Sequence, residues 1–405
     1  MGELLGTWKR PRDDRLMQPS NRYTLGLAYR RYQAPCPFGL ATKDRLQHLY
    51  IIGQTGTGKS TLLQNLAHQD AEHRTGFCLI DPHGDVAESL HQDLNIPHFY
   101  WDLADPSCPL GYNPLAKVAA MHRPLVVSGL IETLQKQWPN AWGARMEHIL
   151  RFSLLALLEL PQADLRDVLK LLTYKGFRRQ VVTEISDPQV QFFWKVEFPA
   201  MNYQGSADGV APIANKLGAF LAQPTVRDAL CAPRRPLRFR HLMDTGQILI
   251  VNLAKGRLGA DITNILGGLI TSNLMLAAST RHGLPEAARR PFFLYVDEFP
   301  SLTTKSFAGM LSEARKYGLG LVLAHQHLSQ IDGGVSDAIF GNVGSYVVFR
   351  VGSKDAPILA RVLAPLRVID LQNQPNRRAT VQVMHHGERV EPFTASMYPP
   401  YRSAI

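Results

Sequence analysis

The stretch LYIIGQTGTGKSTLL at residues 49–63 constrains the fold of this chain more than any other stretch of its sequence does. Its first apolar residues predict a buried strand, and the apolar residues of STLLQNLAHQ recur at helical spacing. The glycines between them fit the pattern G-x-x-x-x-G-K-[ST], in which backbone N–H groups turn toward phosphate oxygens. The helix that follows adds the positive end of its dipole. The order strand, glycine-rich loop, helix therefore predicts a nucleotide-binding loop, and the alternative is a glycine-rich turn without a ligand.

Each residue type in this loop suits a part of ATP and its Mg²⁺ ion. We expect Lys59 to reach the β- and γ-phosphates and the hydroxyl of Ser60 to ligate Mg²⁺. The predicted nucleotide-binding residues are Gly53, Gln54, Thr55, Gly56, Thr57, Gly58, Lys59, Ser60 and Thr61.

A second apolar stretch, RPFFLYVDEF, ends in two adjacent carboxylates. Asp297 is predicted to hold the Mg²⁺ shell, and Glu298 to orient and deprotonate the attacking water. Two acids at the carboxyl end of a buried strand favour an ATPase that transfers phosphate to water rather than to a metabolite. An acidic strand end at the surface is the structural alternative.

A third strand is predicted in GLGLVLAHQ, which ends at Gln326. In nucleotide hydrolases with an inserted strand, a polar residue at this point lies between the phosphate loop and the acidic strand. Gln326 is therefore predicted to contact the γ-phosphate or the water, although a polar residue at a strand end is often only a turn former.

Strand-like and helix-like segments alternate along most of the chain. Strands are predicted at 49–53, 76–81, 98–103, 247–253, 292–297, 320–325, 346–351 and 380–385. This order indicates an α/β fold with a mostly parallel sheet flanked by helices. The segments between residues 115 and 235 are all amphipathic and helix-like, and predict an inserted all-α domain. The predicted limits are an N-terminal arm at 1–45, an ATPase domain at 46–114 and 236–395, the insertion at 115–235 and a C-terminal tail at 396–405.

The composition favours a polyanionic partner. The chain has 405 residues and a formal net charge of +10, which points to nucleic acid first. The four cysteines are scattered without metal-ligand spacing, as in proteins of a reducing compartment. No stretch of 18 apolar residues is free of polar interruption, so we expect a cytoplasmic protein without direct membrane insertion.

Seven segments follow one another along the chain: CLIDPHGDVAESL, YWDLADPSCPLGYNPL, FWKVEF, ILIVNLAKGRLG, YVDEFPSL, LSEARKYGLGLVLAHQHLSQI and GNVGSYVVFRVGSKDA. Together they resemble the HerA/FtsK superfamily, and most closely the soluble motor domain of TraG/TraD-type coupling proteins of type IV secretion. The resemblance extends over roughly residues 45 to 395. It implies a RecA-like motor domain, a ring of six subunits around DNA, ATP hydrolysis that moves the DNA, and a secretion-channel, relaxosome or nuclease partner.

The resemblance also implies that a neighbouring subunit inserts an arginine at the γ-phosphate. Arg315, in EARKYGLG, occupies the position where related coupling proteins place an interface arginine, and Arg350 is the second candidate. A surface salt bridge is the alternative for either residue. The candidate DNA contacts are Lys255 and Arg257 in AKGRLG and Lys305 in SLTTKSF, each of which should meet phosphates rather than bases.

Two other assignments stay open at this point. In DPHGD, Asp81 and His83 could line the nucleotide site but are expected to be structural, and Asp85 is expected to cap a helix.

The predicted function is a DNA translocase of conjugative transfer or of a mobile element. The alternative is an ATPase ring of an anti-phage complex that assembles and drives a nuclease. A small-molecule kinase is disfavoured by the pair Asp297 and Glu298.

Overall fold

The structure is a computed structural model of the chain, which describes residues 22–29, 34–200 and 209–401. The chain divides into two compact units. The sheet unit comprises Met1–Tyr100, Arg240–Asn252 and Ala278–Ile405, and the helical unit comprises Trp101–Phe239 and Leu253–Ala277. The basic N-terminal segment WKRPRDDR lies outside the described residues.

The sheet unit is built on a large mixed sheet. The strands are, in chain order, β1 Arg22–Ala28, β2 Cys36–Ala41, β3 Leu49–Ile52, β4 Gly76–Asp81, β5 Phe99–Asp102, β6 Leu110–Gly111, β7 Arg235–Pro236, β8 Ile248–Asn252, β9 Phe292–Val296, β10 Leu319–His325, β11 Ser345–Val348, β12 Arg378–Gln382, β13 Met384–His385, β14 Glu388–Arg389 and β15 Phe393–Met397. Within the described residues, 11 strands form the main sheet in the order β2-β1-β15-β12-β11-β3-β10-β9-β4-β8-β5, and two short pairs, β13-β14 and β6-β7, stand apart.

The strands β11, β3, β10, β9, β4 and β8 run parallel to one another. Every residue of these six strands is buried, which is why they read as apolar runs rather than as an alternating pattern. The predicted α/β fold with a mostly parallel sheet is confirmed, and each of the eight predicted strands is present.

The antiparallel part of the sheet was only partly predicted, because the sequence indicated a strand at 380–385, where β12 lies, but none at β15, β1 or β2. Strands β12, β15, β1 and β2 extend it beyond β11, each antiparallel to its neighbour. The predicted N-terminal arm at 1–45 therefore contains two strands of the main sheet, and the predicted tail at 396–405 includes the end of a third. These segments carry no strand–loop–helix unit of their own, and they pair with residues more than 300 positions away, such as Gly26 with Met397.

Both units contain helices, and those of the sheet unit flank its sheet. In the sheet unit they are Thr42–Arg45, Lys59–Glu72, Asp85–Asp93, Lys305–Glu313, Gly333–Asn342, Ala356–Val362 and Val368–Gln372, and Phe239–Thr245 begins at the unit limit. In the helical unit they are Arg123–Gln137, Ala144–Leu157, Leu165–Thr173, Lys175–Glu184, Pro188–Phe192, Phe198–Ala200, Val210–Ala222, Pro224–Leu230 and Lys255–Leu258, and Ala260–Ser279 continues across the unit limit.

The helical unit is larger than the predicted insertion at 115–235. It also takes in residues 101–114, 236–239 and 253–277, which were predicted to belong to the ATPase domain. The predicted domain limits themselves stay a prediction. Of the described helices, only the one at Ala260–Gly283 is long and apolar enough to cross a membrane, and 67% of its apolar window is buried, as in the core helix of a folded domain.

A buried charge pair ties the antiparallel extension to the parallel core. The guanidinium of Arg45 donates to both oxygens of Asp70, at 2.6 and 2.9 Å, and to the hydroxyl of Tyr295 at 2.7 Å. It lies between the rings of Tyr23 and Phe293, 3.8 and 3.7 Å from their centroids. The charges of Arg45 and Asp70 are thus fully desolvated and depend on each other.

We expect Arg45→Met to destabilise the sheet unit by about 3–5 kcal/mol, because it leaves the Asp70 carboxylate buried without its partner. The measurement is the free energy of unfolding in urea. Lys316→Met is the matched control, because Lys316 is 67% exposed and its nitrogen lies 3.9 Å from the Glu313 carboxylate, where a surface ion pair contributes little. Equal stabilities of the two variants would contradict the prediction.

Candidate active site

The glycine-rich loop follows β3 and leads directly into the helix Lys59–Glu72. Two of its glycines are required by the backbone. A Cβ on Gly53 would lie 2.5 Å from the Cβ of Phe349, and Gly58 has a φ of 120°, which side chains rarely allow. The motif therefore has the strand–loop–helix setting that the sequence analysis required of it.

Neighbouring strands hold the loop in place. The N–H of Gln54 donates to the carbonyl of Arg350 at 2.9 Å, and the N–H of Arg377 donates to the carbonyl of Thr57 at 2.8 Å. The hydroxyl of Thr57 donates to the Gln54 carbonyl at 2.7 Å. The loop is fixed by the ends of β11 and β12 as well as by its own bonds.

Lys59 lies inside the loop. Its side chain is 7% exposed, and its ammonium donates to the carbonyls of Gly53 at 2.6 Å and Gln54 at 3.1 Å. Burial lowers the pKa of Lys59, while the negative charges of Asp297 and Glu298 oppose that shift. The predicted lysine and the two predicted acids thus act on one another within a single site, although 238 positions separate Lys59 from Asp297 in the sequence.

The strand order brings them together. Strand β10 lies between β3 and β9; Ile52 pairs with His325, and Val296 pairs with Leu323. The carboxyl ends of parallel strands meet at one edge of the sheet, so the loop, Gln326 and the acid pair occupy the same edge.

Asp297 is half-buried directly after β9. Its N–H donates to the carbonyl of Ile80 at 3.1 Å, and its carboxylate accepts the N–H of Glu298 at 3.0 Å. Burial, followed by the nearby charges of Asp81 and Glu298, raises the pKa of Asp297 to about 7. A divalent cation at this carboxylate would favour its charged form, as the positive charge of Lys59 already does.

Glu298 has the left-handed backbone conformation, with a φ of 47°, which is uncommon outside glycine. Its carbonyl accepts the N–H and the hydroxyl of Ser301, at 3.1 and 2.9 Å, so the turn Phe299–Ser301 fixes its backbone. One carboxylate oxygen accepts the side-chain amide of Gln326 at 2.6 Å, and the other accepts that of Gln330 at 3.4 Å.

Gln326 connects this carboxylate to the phosphate loop. Its amide oxygen accepts the hydroxyl of Thr55 at 2.7 Å, while its amide nitrogen donates to Glu298. The predicted position of Gln326, between the loop and the acidic strand, is the one it occupies. Ser60 and Thr61 lie in the first turn of the helix Lys59–Glu72, and Ser60 is exposed there.

The two candidate arginines lie at different ends of the sheet. The Arg350 guanidinium donates to the side chain of Gln54 at 3.2 Å and to the carbonyl of Gln374 at 3.3 Å, so it lies against the phosphate loop of its own chain. Arg315 is exposed in the turn Ala314–Tyr317, before the amino end of β10 and thus far from the loop. Burial, and then the charge of Arg315, lower the pKa of His48, the residue before β3, to about 4.

The candidate DNA contacts are in separate places. Lys255 begins the short helix Lys255–Leu258 of the helical unit, and Arg257 on the same helix donates to Asp102 at 2.6 Å. Lys305 begins the helix Lys305–Glu313, and its side chain lies outside the described part of the chain. Their contact with DNA stays a prediction.

Asp81 has the structural role expected of it. Its carboxylate accepts the N–H groups of His83, Val86 and Ala87 at 2.9, 2.9 and 3.0 Å, and so caps the helix Asp85–Asp93. The predicted capping by Asp85 is wrong, because Asp85 is itself the first helical residue. The side chain that accepts the N–H groups of the first turn belongs to Asp81, which precedes the helix.

Two family models match parts of the chain. Residues 26–99 match the central domain of the helicase HerA, and residues 246–365 match the DNA-binding domain of type IV secretion-system coupling proteins. A comparison with curated protein sequences found no match.

Solved structures match nearly the whole chain. The bacterial conjugative coupling protein TrwBdeltaN70, in an unbound form, is 16% identical with a TM-score of 0.63, over 98% of this chain and 95% of that one. VirB4 of Thermoanaerobacter pseudethanolicus is 13% identical with a TM-score of 0.63, over 95% of this chain and 98% of that one. The plasmid coupling protein TrwB in complex with ADP and Mg²⁺ is 18% identical with a TM-score of 0.59, over 90% and 89%.

The fold and the site together define a protein with the RecA-like P-loop NTPase fold. Within that class, the family models confirm the resemblance to the HerA/FtsK superfamily and to the coupling proteins of type IV secretion.

Proposed function

We propose that this chain hydrolyses ATP at the site around Lys59 and Glu298 and uses the energy to move DNA in conjugative transfer. The observation that carries the proposal is the hydrogen bond that the Gln326 amide donates to Glu298, while the amide oxygen of Gln326 accepts the Thr55 hydroxyl. This chain of contacts connects the Glu298 carboxylate to the loop that would hold the triphosphate, and so supports a role for it as the base in hydrolysis by water.

The side chains have the following roles in this proposal. The N–H groups of residues 53–58 cradle the phosphates, and the Lys59 ammonium exchanges its loop carbonyls for phosphate oxygens. Glu298 orients a water and accepts its proton, while Gln326 contacts the γ-phosphate. Ser60 and Asp297 would hold Mg²⁺, which would supply positive charge to offset the negative charge of the phosphates. The fit rests on the donor set, a hydroxyl and a carboxylate whose pKa is raised by burial and by its acidic neighbours.

The DNA part of the proposal rests on charge and on the second family match. The net charge is +10, and residues 246–365, which include Lys255, Arg257 and Lys305, match a DNA-binding domain. We propose that the protein works in the cytoplasm as a closed ring around DNA, in which the channel-facing cations meet phosphates, and that a secretion channel or relaxosome supplies the docking partner.

A titration of DNA into an ATPase assay tests this function. We expect DNA to stimulate hydrolysis several-fold at low salt, and we expect high salt to remove the stimulation, because phosphate contacts release counterions. Single- and double-stranded DNA are compared at equal nucleotide concentration. A rate of ATP hydrolysis that neither single- nor double-stranded DNA changes would instead favour a nucleotide-gated scaffold for a partner nuclease.

A further inference from the structure

Gln330 is in direct contact with the proposed catalytic carboxylate, and the sequence analysis gave it no role. It ends the short turn Leu328–Gln330, which follows Gln326. Its amide oxygen accepts the N–H of His327 at 3.0 Å and that of Gln326 at 3.3 Å. Since the oxygen is committed to these two donors, the amide nitrogen must face the other way, and it donates to Glu298 at 3.4 Å.

Glu298 thus accepts one amide on each oxygen, and the two amides differ in what else they touch. Gln326 is also bonded to Thr55 of the phosphate loop, at 2.7 Å. Gln330 is anchored to backbone N–H groups of its own turn, and its side chain also interacts with the ring of His325. If Gln326 turns toward a γ-phosphate in the loop, its bond to Glu298 is weakened or lost, whereas Gln330, which has no bond to the phosphate loop, can keep its own.

Glu298 needs such a second contact because its backbone alone does not aim its carboxylate. The backbone is fixed in the left-handed region by the turn that follows it. The side chain beyond it still has three rotatable bonds, and a general base has to be within hydrogen-bond reach of the water it activates.

We propose that Gln330 is a positioning residue that keeps the Glu298 carboxylate aimed at the water after Gln326 has turned to the γ-phosphate. The inference rests on the proposed role of Glu298 in ATP hydrolysis. Gln330 acts through Glu298 and touches neither the nucleotide nor the reacting water.

Gln330→Glu removes the hydrogen bond to Glu298 and keeps the bonds within the turn. The new side chain has the same length, and its oxygens still accept the N–H groups of Gln326 and His327. It has no N–H to donate to Glu298, and it places a like charge beside it. Gln330→Met removes both sets of bonds at similar length. Gln180→Met, at an exposed position of the helix Lys175–Glu184, is the control for the substitution itself.

We expect Gln330→Glu to lower kcat at least about tenfold, while KM and the affinity for a non-hydrolysable ATP analogue stay within about twofold of the wild type. The melting temperature should be unchanged, and Gln330→Met should lower kcat by a similar factor. In the Glu298→Gln background, the Gln330→Met substitution should have little further effect, since the group it positions is already gone.

A Gln330→Glu protein with wild-type kcat would overturn the inference, because it would limit Gln330 to bonds within its turn. Equal effects of Gln330→Met with and without Glu298 would overturn it too, and this comparison decides the matter if Gln330→Glu does not fold. A wild-type protein that binds the ATP analogue without hydrolysing ATP would overturn the proposed function, and this inference with it.

Discussion

Glu298→Gln should stop ATP turnover and leave ATP binding intact. The amide that replaces the carboxylate has nearly the same shape, and its oxygen can still accept the amide of Gln326, which donates to Glu298 at 2.6 Å in the native protein. It cannot accept a proton from water. We therefore expect kcat to fall by roughly 10²–10⁴, the range of general-base contributions. Phosphate release measures turnover, and titration with a fluorescent ATP analogue measures binding.

Lys59→Ala is the matched control for that experiment, because it affects the other half of the same site. Lys59 is buried within the phosphate loop, where its ammonium bonds to the carbonyls of Gly53 and Gln54. Without it, binding of the analogue should weaken and hydrolysis should fall as a consequence. If Glu298→Gln retained turnover within about tenfold of the wild type, Glu298 would not be the general base.

The centre of the sheet could be predicted from the sequence because its signals are local. A parallel strand buried on both faces reads as an apolar run, and the phosphate loop has a fixed spacing. The place of Gln326 also followed, since an inserted strand between β3 and β9 has to end beside both of them.

The antiparallel edge of the sheet, formed by β15, β1 and β2, could not be predicted because its causes are not local. Strand β1 pairs with β15 near the other end of the chain, and Gly26 is needed where a Cβ would lie 2.2 Å from the carbonyl of Ser396. No short sequence window contains both partners. The buried pair Arg45 and Asp70 is hidden in the same way, because a buried charge and a surface charge look alike in a sequence.

Gln330 was missed for a related reason. HLSQI reads as an ordinary polar turn, and the value of the glutamine depends on a carboxylate 32 positions earlier. Strands β9 and β10 are neighbours in the sheet. Only this pairing shows that the turn after β10, which contains Gln330, lies beside the acid after β9, which is Glu298. A polar turn next to a predicted strand-end glutamine is the signal that could have raised the question.

Arg315 should be needed for hydrolysis by a neighbouring subunit rather than by its own. It precedes β10 and Gln326 follows it, so the seven residues of Leu319–His325 separate Arg315 from the phosphate-loop edge of the sheet. At about 3.3 Å per residue, this is on the order of 23 Å, beyond the reach of an arginine side chain. Its position near His48, before the amino end of β3, agrees with that separation. Arg350 is already bonded to its own loop through Gln54, which leaves Arg315 as the stronger candidate for a contact between subunits.

Arg315→Ala should therefore keep ATP binding and lose hydrolysis by about 10³-fold or more, the effect of removing an arginine that acts on the γ-phosphate of a neighbour. Lys316→Ala, at the adjacent exposed cation, should remain active. Mixing the Arg315→Ala and Glu298→Gln proteins then gives the decisive result. At a boundary between two subunits, the active site is complete when the Arg315→Ala subunit supplies Glu298 and its Glu298→Gln neighbour supplies Arg315. Random assembly from equal amounts makes about a quarter of the boundaries complete, so roughly a quarter of wild-type activity should return. Two proteins that stay inactive together would show that Arg315 completes no neighbour's site.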